Sequence, residues 1–425
     1  MLTRIIDQIH ALGCEIFEIT EETINTWEFY LIRHSLDQNR VVETKQFHIK
    51  LYRRLNHGAD IGIASGIISP TLNDTELNAE LSKIYLQAGL TCNPSFSLNH
   101  SSLPPIPSLD VDIEAISSPL LKSILEIPET ETERINSCEL FVSKVQKMYV
   151  NSNGVTYRMT YPCSMLEVVI NSRENGKEIE LYRNYTFGTC VPMLFVNRIK
   201  SAFQLGKDRL HAMPTPKLTK SDIILSGESA VSLYEFYVSK MNAEMQYRSL
   251  SDWTVGKEIV PDPTGDLISI YAVSHLENSS HDYPVDADGA WIQDRYLIRD
   301  NIAMSTWGSK QMSDYIGSSN SSSVYNIIVS GGKVPAEGLH SDEYLELFDF
   351  LDLQIDPVGG DILGEIRLGY WHHGGRIIPV SGGSISGNMH DVLASIRFSI
   401  ETVQYDNYVI PKETLLRNLS ITGVE

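Results

Sequence analysis

The chain has 425 residues, 42% of them hydrophobic and 21% charged, a length for two or three domains and a sizeable core. Its net charge is −20, from 54 acidic against 34 basic residues with no basic stripe to offset them, which argues against direct binding to a nucleic-acid backbone. No apolar run approaches the roughly 18 residues of a membrane span, so a membrane protein is not expected.

At the N-terminus, MLTRIIDQIHALG puts Leu2, Ile5, Ile6 and Ile9 on one helical face, with Gly13 where a helix would stop. Polar residues interrupt the stretch at that spacing, so it does not read as a secretory signal. Cys14, Cys92, Cys138, Cys163 and Cys190 are odd in number and scattered without a CxxC, which suits a reducing cytoplasm and neither a disulfide framework nor a thiolate metal site. From Glu15 to Ile68, β-branched and aromatic residues alternate in segments such as EIFEIT and FHIKLY, the pattern of several strands. TLNDTELNAELSKIYLQAGL then switches period: Leu77, Leu81, Ile84, Tyr85 and Ala88 share a helical face, with Asp74 placed to cap its start and Gly89 its end.

The Pro/Ser-rich stretch from Asn93 to Asp110 has no apolar period and is the best linker, with a boundary near residue 104. Beyond it, Asn153-Gly154 and Asn175-Gly176 lie between alternating runs, the signature of hairpins in a meander. A second Pro-containing connection, His211 to Asp222, leads into SGESAVSLYEFYVSKMNAEMQY, a helix with Leu233, Phe236, Tyr237, Met241 and Met245 on one side as core packing. Short strands and Gly, Ser and Asn clusters follow from Asp252 onward. The expected fold is α+β: a mixed N-terminal domain (1–103), a central β-meander (104–215), and a β-rich C-terminal domain with few helices (216–425).

PVSGGSISGN, Pro379 to Asn388, lies between an expected strand, RIIPV, and an expected helix in which Met389, Val392, Leu393, Ile396 and Ile400 trace one face behind an Asn388 cap. It lacks GK[ST] and the GxGxxG spacing, so a nucleotide phosphate is not its natural ligand. The glycines serve close packing at positive φ, or expose backbone groups of Gly382, Gly383, Ser384, Ser386, Gly387 and Asn388 to an extended peptide.

The run GYWHHGGRIIPVSGGSISGNMHDVLASI resembles the C-terminal signature of the TldD/PmbA family, whose PmbA members are also called TldE. DADGAWIQDRYLIRDN is similar to the family's D-x-E-G segment with Asp288 in place of the glutamate, and NLSITG to its terminal strand. IRHSLDQNRVVETKQFHIKLYRRLNHGADIGIASG fits the N-terminal part more loosely. The resemblance implies an α+β fold and a cytoplasmic bacterial metalloprotease system for short or unfolded peptides, once named as a modulator of DNA gyrase. In it, a TldD subunit carries HExxxH and a later cysteine around zinc or another divalent metal, and pairs with a PmbA subunit lacking the ligands.

That resemblance puts the HExxxH helix within LYEFYVSK, Leu233 to Lys240. In one register Tyr234 and Ser239 replace the histidines while Glu235 keeps the acid; in the other, Glu235 and Lys240 stand at the ligand positions. No histidine lies between His211 and His275, and the last cysteine is Cys190, so no metal is expected on this chain. His275, His281 and Asp288 form a weak alternative metal set in a loop-like segment. His372 and His373 read as hairpin-tip residues. No GxSxG occurs, so a serine hydrolase has no support.

The expected function is therefore a PmbA-type subunit with an unfolded-peptide substrate and a TldD-like partner, a homodimer, or both. The alternatives are an active peptidase with a displaced metal site and a stand-alone homo-oligomeric peptide-binding protein.

Overall fold

The computed structural model describes residues 1–100, 104–106 and 109–424. Of the linker stretch, residues 101–103 and 107–108 lie outside the described residues.

Helix α1 (Leu2–Ala11) buries Ile5 and Ile9 as its apolar period requires. Strands β1 (Ile16–Ile32) and β2 (Ser35–Leu55) form a long antiparallel hairpin, followed by β3 (Asp60–Ile68). Helix α2 (Asp74–Ala88) is capped by Asn73 rather than Asp74. The Asn73 amide oxygen accepts from the Thr75 and Glu76 N–H groups, and Glu76 returns the bond, a capping box. After β4 (Asn93–Pro94) and helix α3 (Ile113–Leu125) comes the meander β5 (Glu133–Asn151), β6 (Thr156–Glu174) and β7 (Lys177–Phe187), then helix α4 (Pro192–Leu210).

These strands form one seven-stranded sheet in the order β4-β3-β2-β1-β5-β6-β7. The boundary expected near residue 104 falls inside this layer, because β1 pairs β5 from Glu18↔Asn151 to Ile32↔Ser137. Reading residues 104–215 as a meander accounts for β5–β7 but omits α3 and α4. In α4, Phe195, Ile199, Ala202, Phe203 and Gly206 are buried at helical spacing, and Pro192 opens its first turn. One face of the sheet is covered by α1 and α2 at one end and α3 and α4 at the other.

The C-terminal half begins with β8 (Met213–Pro214), β9 (Leu218–Ser226), α5 (Val231–Lys240) and α6 (Ala243–Tyr247). The single helix expected there is split at Met241-Asn242, where the Asn242 side chain caps α6. Next come β10 (Ile270–Val273), β11 (Arg295–Arg299), β12 (Ile302–Ala303), α7 (Lys310–Tyr315) and β13 (Asn326–Val329). The chain finishes with β14 (Tyr344–Ile355), β15 (Asp361–His373), β16 (Arg376–Ser381), β17 (Ser384–Asn388), α8 (Met389–Val392), β18 (Arg397–Phe398), β19 (Thr402–Tyr405), β20 (Tyr408–Pro411) and β21 (Glu413–Thr422).

Six of these strands form a sheet β12-β11-β10-β13-β20-β19, and eight form a second, β14-β9-β21-β17-β15-β16-β8 with β18 beside β21. A further β14–β15 pairing closes the second sheet on itself. The core of this half joins α5, both sheets and α8 in one cluster. With 45% of residues in strands and 22% in helices, the fold is α+β and β-rich.

The glycine segment departs from the strand–loop–helix expectation. Ser384–Asn388 is a strand, and the helix behind it stops at Val392. The Ala394 carbonyl accepts from Thr264 and Gly265, and that of Ile396 from Asp266, while Arg397 and Phe398 pair with β21. These bonds replace the helical ones that would carry α8 on to Ile400.

Candidate functional site

Helix α5 packs its apolar side into the C-terminal core. Tyr234 is fully buried, and its hydroxyl shares a 2.6 Å hydrogen bond with Thr414. Lys240 is buried too: its ammonium is 3.0 Å from Asp252 and lies over the rings of Phe236 and Trp253. Glu235 points outward, and Ser239 is half-buried on the same side, four residues on. Tyr234, Glu235 and Ser239 therefore do not converge. A buried phenol engaged with a threonine, a hydroxyl and an ammonium do not fit a divalent cation, which takes imidazole, thiolate or carboxylate.

His275, His281 and Asp288 are not brought together either. His275 is exposed, with Nδ1 2.8 Å from Asp282. His281 Nδ1 lies 2.9 Å from the Ser280 hydroxyl, and its ring stacks on Tyr325. Ser280 is itself buried, with its hydroxyl donating to Asp406 at 2.7 Å, so this pair is not an exposed nucleophile with its base. Burial pushes the thiols of Cys138 and Cys190 up to about 12, away from thiolate chemistry. Among the described residues, no three histidine, cysteine or carboxylate side chains are grouped to hold a metal.

The glycine segment is built for packing. Gly382 and Gly383 turn at φ 84° and 76°, and a Cβ on Gly383 would stand 2.0 Å from the Thr422 carbonyl oxygen. A Cβ on Gly387 would lie 2.2 Å from Leu419. Strand β17 sits between β15 and β21, with Ser384 opposite Glu365 on one side and Thr422 on the other. The backbone of Ser384–Ser386 is thus engaged on both edges. The Asn388 amide donates to Gly359 and Asp361, and its oxygen accepts the His390 N–H as the α8 cap. Of the backbone expected to face a peptide, the Ser384–Ser386 part is taken up by its own sheet.

Asp288 has a different setting. It meets Lys50 at 3.0 Å and accepts the Lys310 N–H at the start of α7. Beyond Lys50 lies Glu18, buried in β1, which accepts the Tyr52 hydroxyl and, at 2.5 Å, that of Tyr149. Burial raises the Glu18 carboxyl above the usual range, against the pull of Lys50. Glu18, Lys50, Tyr52, Asp288 and Lys310, with Asn99, Ser309 and Gln311, line a cavity of about 180 Å³ on the seam between the first sheet and the C-terminal half. Asp286, two residues before Asp288, is also buried: its carboxylate accepts the N–H groups of Asp288, Ala290 and Ser323. Burial, with the nearby Asp288 charge, pushes it up to about 7.

The sequence reading singles out Asp288 but not Glu18, Lys50, Tyr52 or Tyr149. Its one signal was a glutamate inside the apolar run Ile16 to Ile19, and its hydroxyl partner Tyr149 is 131 residues away. A second cavity, about 470 Å³, lies between α4 and β19, lined by Arg183, Arg198, Glu228, Asp349 and Tyr405 among others.

Fold and site together define a β-rich α+β protein whose charged side chains gather at the seam between a helix-backed sheet and a closed β domain. Residues 219–423 match the family described as PmbA/TldA metallopeptidase C-terminal domain. The likeness to the TldD/PmbA family is therefore carried by this C-terminal half. Its fold is that of TldE from Thermococcus kodakarensis: 14% identity over 99% of this chain and 100% of that one, with a TM-score of 0.78. Proteins described as modulators of DNA gyrase from Thermotoga maritima and Bacteroides thetaiotaomicron share it at TM-scores of 0.75 and 0.76, each 14% identical over 99% of this chain and 98% of theirs. No curated relative matches the chain. Among the described residues, no helix is long and apolar enough to cross a membrane.

Proposed function

We propose that this chain is a non-catalytic, TldE-like subunit of a cytoplasmic peptidase system that acts on short or unfolded peptides, with the metal held by a TldD-like partner subunit. The observation that carries the reading is the donor set of α5. Where the family resemblance calls for two histidines, Tyr234 is spent on Thr414, Ser239 offers only a hydroxyl, and Lys240 holds Asp252. A water molecule is activated at neutral pH by a metal with an open position and a nearby acid, and these side chains supply no such centre. The chain's contribution is then structural: it shapes the space through which a peptide reaches the partner. The likeness to TldE over the whole chain supports that role. The net charge of −20 argues against any direct action on DNA.

The test is the transition-metal content of the chain purified alone without chelator, measured beside its hydrolysis of an unstructured peptide. The expected result is almost no metal and no hydrolysis until a TldD-type subunit is added. About one tightly held metal per chain, with hydrolysis abolished by a chelator, would overturn the reading.

A further inference from the structure

The cavity of about 470 Å³ is built by both halves of the chain. Its volume falls within the roughly 300–1,000 Å³ of small-molecule pockets. Helix α4 turns toward it a stripe at helical spacing, Leu194, Asn197, Arg198, Ser201 and Leu205, beside the face that buries Phe195 and Ile199. The remaining walls come from β7 at Arg183 and Tyr185, β14 at Phe348 and Asp349, β19 at Val403 to Tyr405, and the turn before α5 at Glu228.

Four charged side chains line the space, two of each sign. Arg183 and Asp349 answer each other at 3.0 Å, which leaves Arg198 and Glu228. One N–H of the Arg198 guanidinium donates to the Gln404 carbonyl at 3.2 Å. The group also lies over the rings of Tyr185 and Phe195, 5.1 and 5.7 Å from their centroids. These contacts fix its plane, while the other N–H groups of the fork have no partner among the described residues. The nearby Asp406 does not take them, because it accepts from the Ser280 N–H and from the Ser280 and Thr186 hydroxyls.

Glu228 follows Gly227, whose φ of 75° turns the chain where a Cβ would stand 2.6 Å from the Phe348 carbonyl oxygen. The Glu228 side chain is open to the cavity, and among the described residues no hydrogen bond or ion pair engages its carboxylate. Desolvation by the cavity walls raises that carboxyl above the usual range, against the pull of Arg198 and then Arg183. An incoming cation would relieve it. Arg198 and Glu228 thus face one space without pairing with each other. A simple anion on Arg198 would meet the like charge of Glu228, and a simple cation on Glu228 would meet that of Arg198. A ligand matched to both carries a carboxylate and an ammonium on one small frame. Leu194, Leu205, Phe348 and Val403 add apolar surface for a side chain.

We propose that this cavity binds a small zwitterion with an apolar side chain, a free α-amino acid or a dipeptide, with its carboxylate on Arg198 and its ammonium on Glu228. The inference does not rest on the catalytic reading, because neither α5 nor any metal takes part. Since Arg198 belongs to one half of the chain and Glu228 to the other, the bound ligand links the two halves.

Isothermal titration calorimetry of the full chain tests it, with L-leucine and L-leucyl-L-leucine as probes. The expected result is a dissociation constant on the order of 100 µM for the better probe, and which of the two binds more tightly separates the free amino acid from the dipeptide. Blocking the amine of that probe by acetylation, or its carboxylate as the amide, should in each case weaken binding about tenfold. Glu228→Gln should weaken the unblocked probe by a similar factor of about ten and leave the acetylated one unchanged, because the lost charge then has no ammonium to meet. Arg198→Gln should do the same for the unblocked probe and leave the amide unchanged. The blocked probes need no substitution, so the test stands even if Arg198→Gln unfolds. No binding of either probe up to about 10 mM, an acetylated probe that binds as tightly as the unblocked one, or affinity indifferent to both substitutions would overturn the proposal.

Discussion

The glycine turn that carries the family resemblance and helix α5, where the family's HExxxH would lie, differ in what they preserve. The turn at Gly382-Gly383 keeps a feature of the backbone: positive φ and an approach to β21 that leaves no room for a side chain. Helix α5 keeps only its path through the core, since its polar side chains bond neighbours instead of converging on an ion. A backbone requirement belongs to the fold and persists wherever the fold does. Ligand chemistry is held by side chains, which can be replaced without disturbing the architecture.

The largest effect should come from Gly383→Ala. The added Cβ would lie 2.0 Å from the Thr422 oxygen and would also be strained at φ 76°, so about 3 kcal/mol of stability should be lost on chemical denaturation. Gly374→Ala separates the two causes. Its φ is 58°, but nothing lies within 4 Å of the new carbon, and only about 1 kcal/mol should go. Equal losses at the two sites would mean that packing against β21 matters little.

Tyr234→Phe probes the other stretch. It leaves the ring in place and removes the hydroxyl, so the buried Thr414 side chain loses its partner. A stability loss of about 2 kcal/mol is expected, measured in the same unfolding experiment. No loss would mean that the hydroxyl is not structural and that α5 is freer for other chemistry than its geometry indicates.

What could be read from the sequence divides along the same line. The hairpin turn at Asn175-Gly176 was legible because two-residue turns demand residues tolerant of positive φ. The C-terminal signature was legible because its glycines answer to local crowding. The helix after Asn388 was over-read: Leu393 and Ile396 are buried on the expected period, yet the carbonyls of Ala394 and Ile396 are claimed by the distant segment Thr264–Asp266. The cluster around Glu18 was invisible for a related reason. Its members come from β1, β2, β5 and the loop at Asp288, and no periodicity announces a carboxylate whose partners arrive from across a sheet.

The segment Asp286 to Gly289 stands between the two cases, because a side chain there serves the backbone. Asp286 gathers three N–H groups from Asp288, Ala290 and Ser323 while only 1% exposed, and its carboxyl is held up at about 7. In the unfolded chain the same group titrates near 4, so between roughly pH 4 and pH 7 the folded protein keeps a proton that the unfolded one releases. This contribution to stability is therefore full below the unfolded value and is lost as pH rises through the folded one. Asp286→Asn, which cannot ionise, removes the dependence. Its stability deficit relative to wild type should shrink by about 2.5 kcal/mol between about pH 5 and about pH 8. A deficit constant across that range would show that Asp286 stays ionised in the fold, with its three N–H donors outweighing burial.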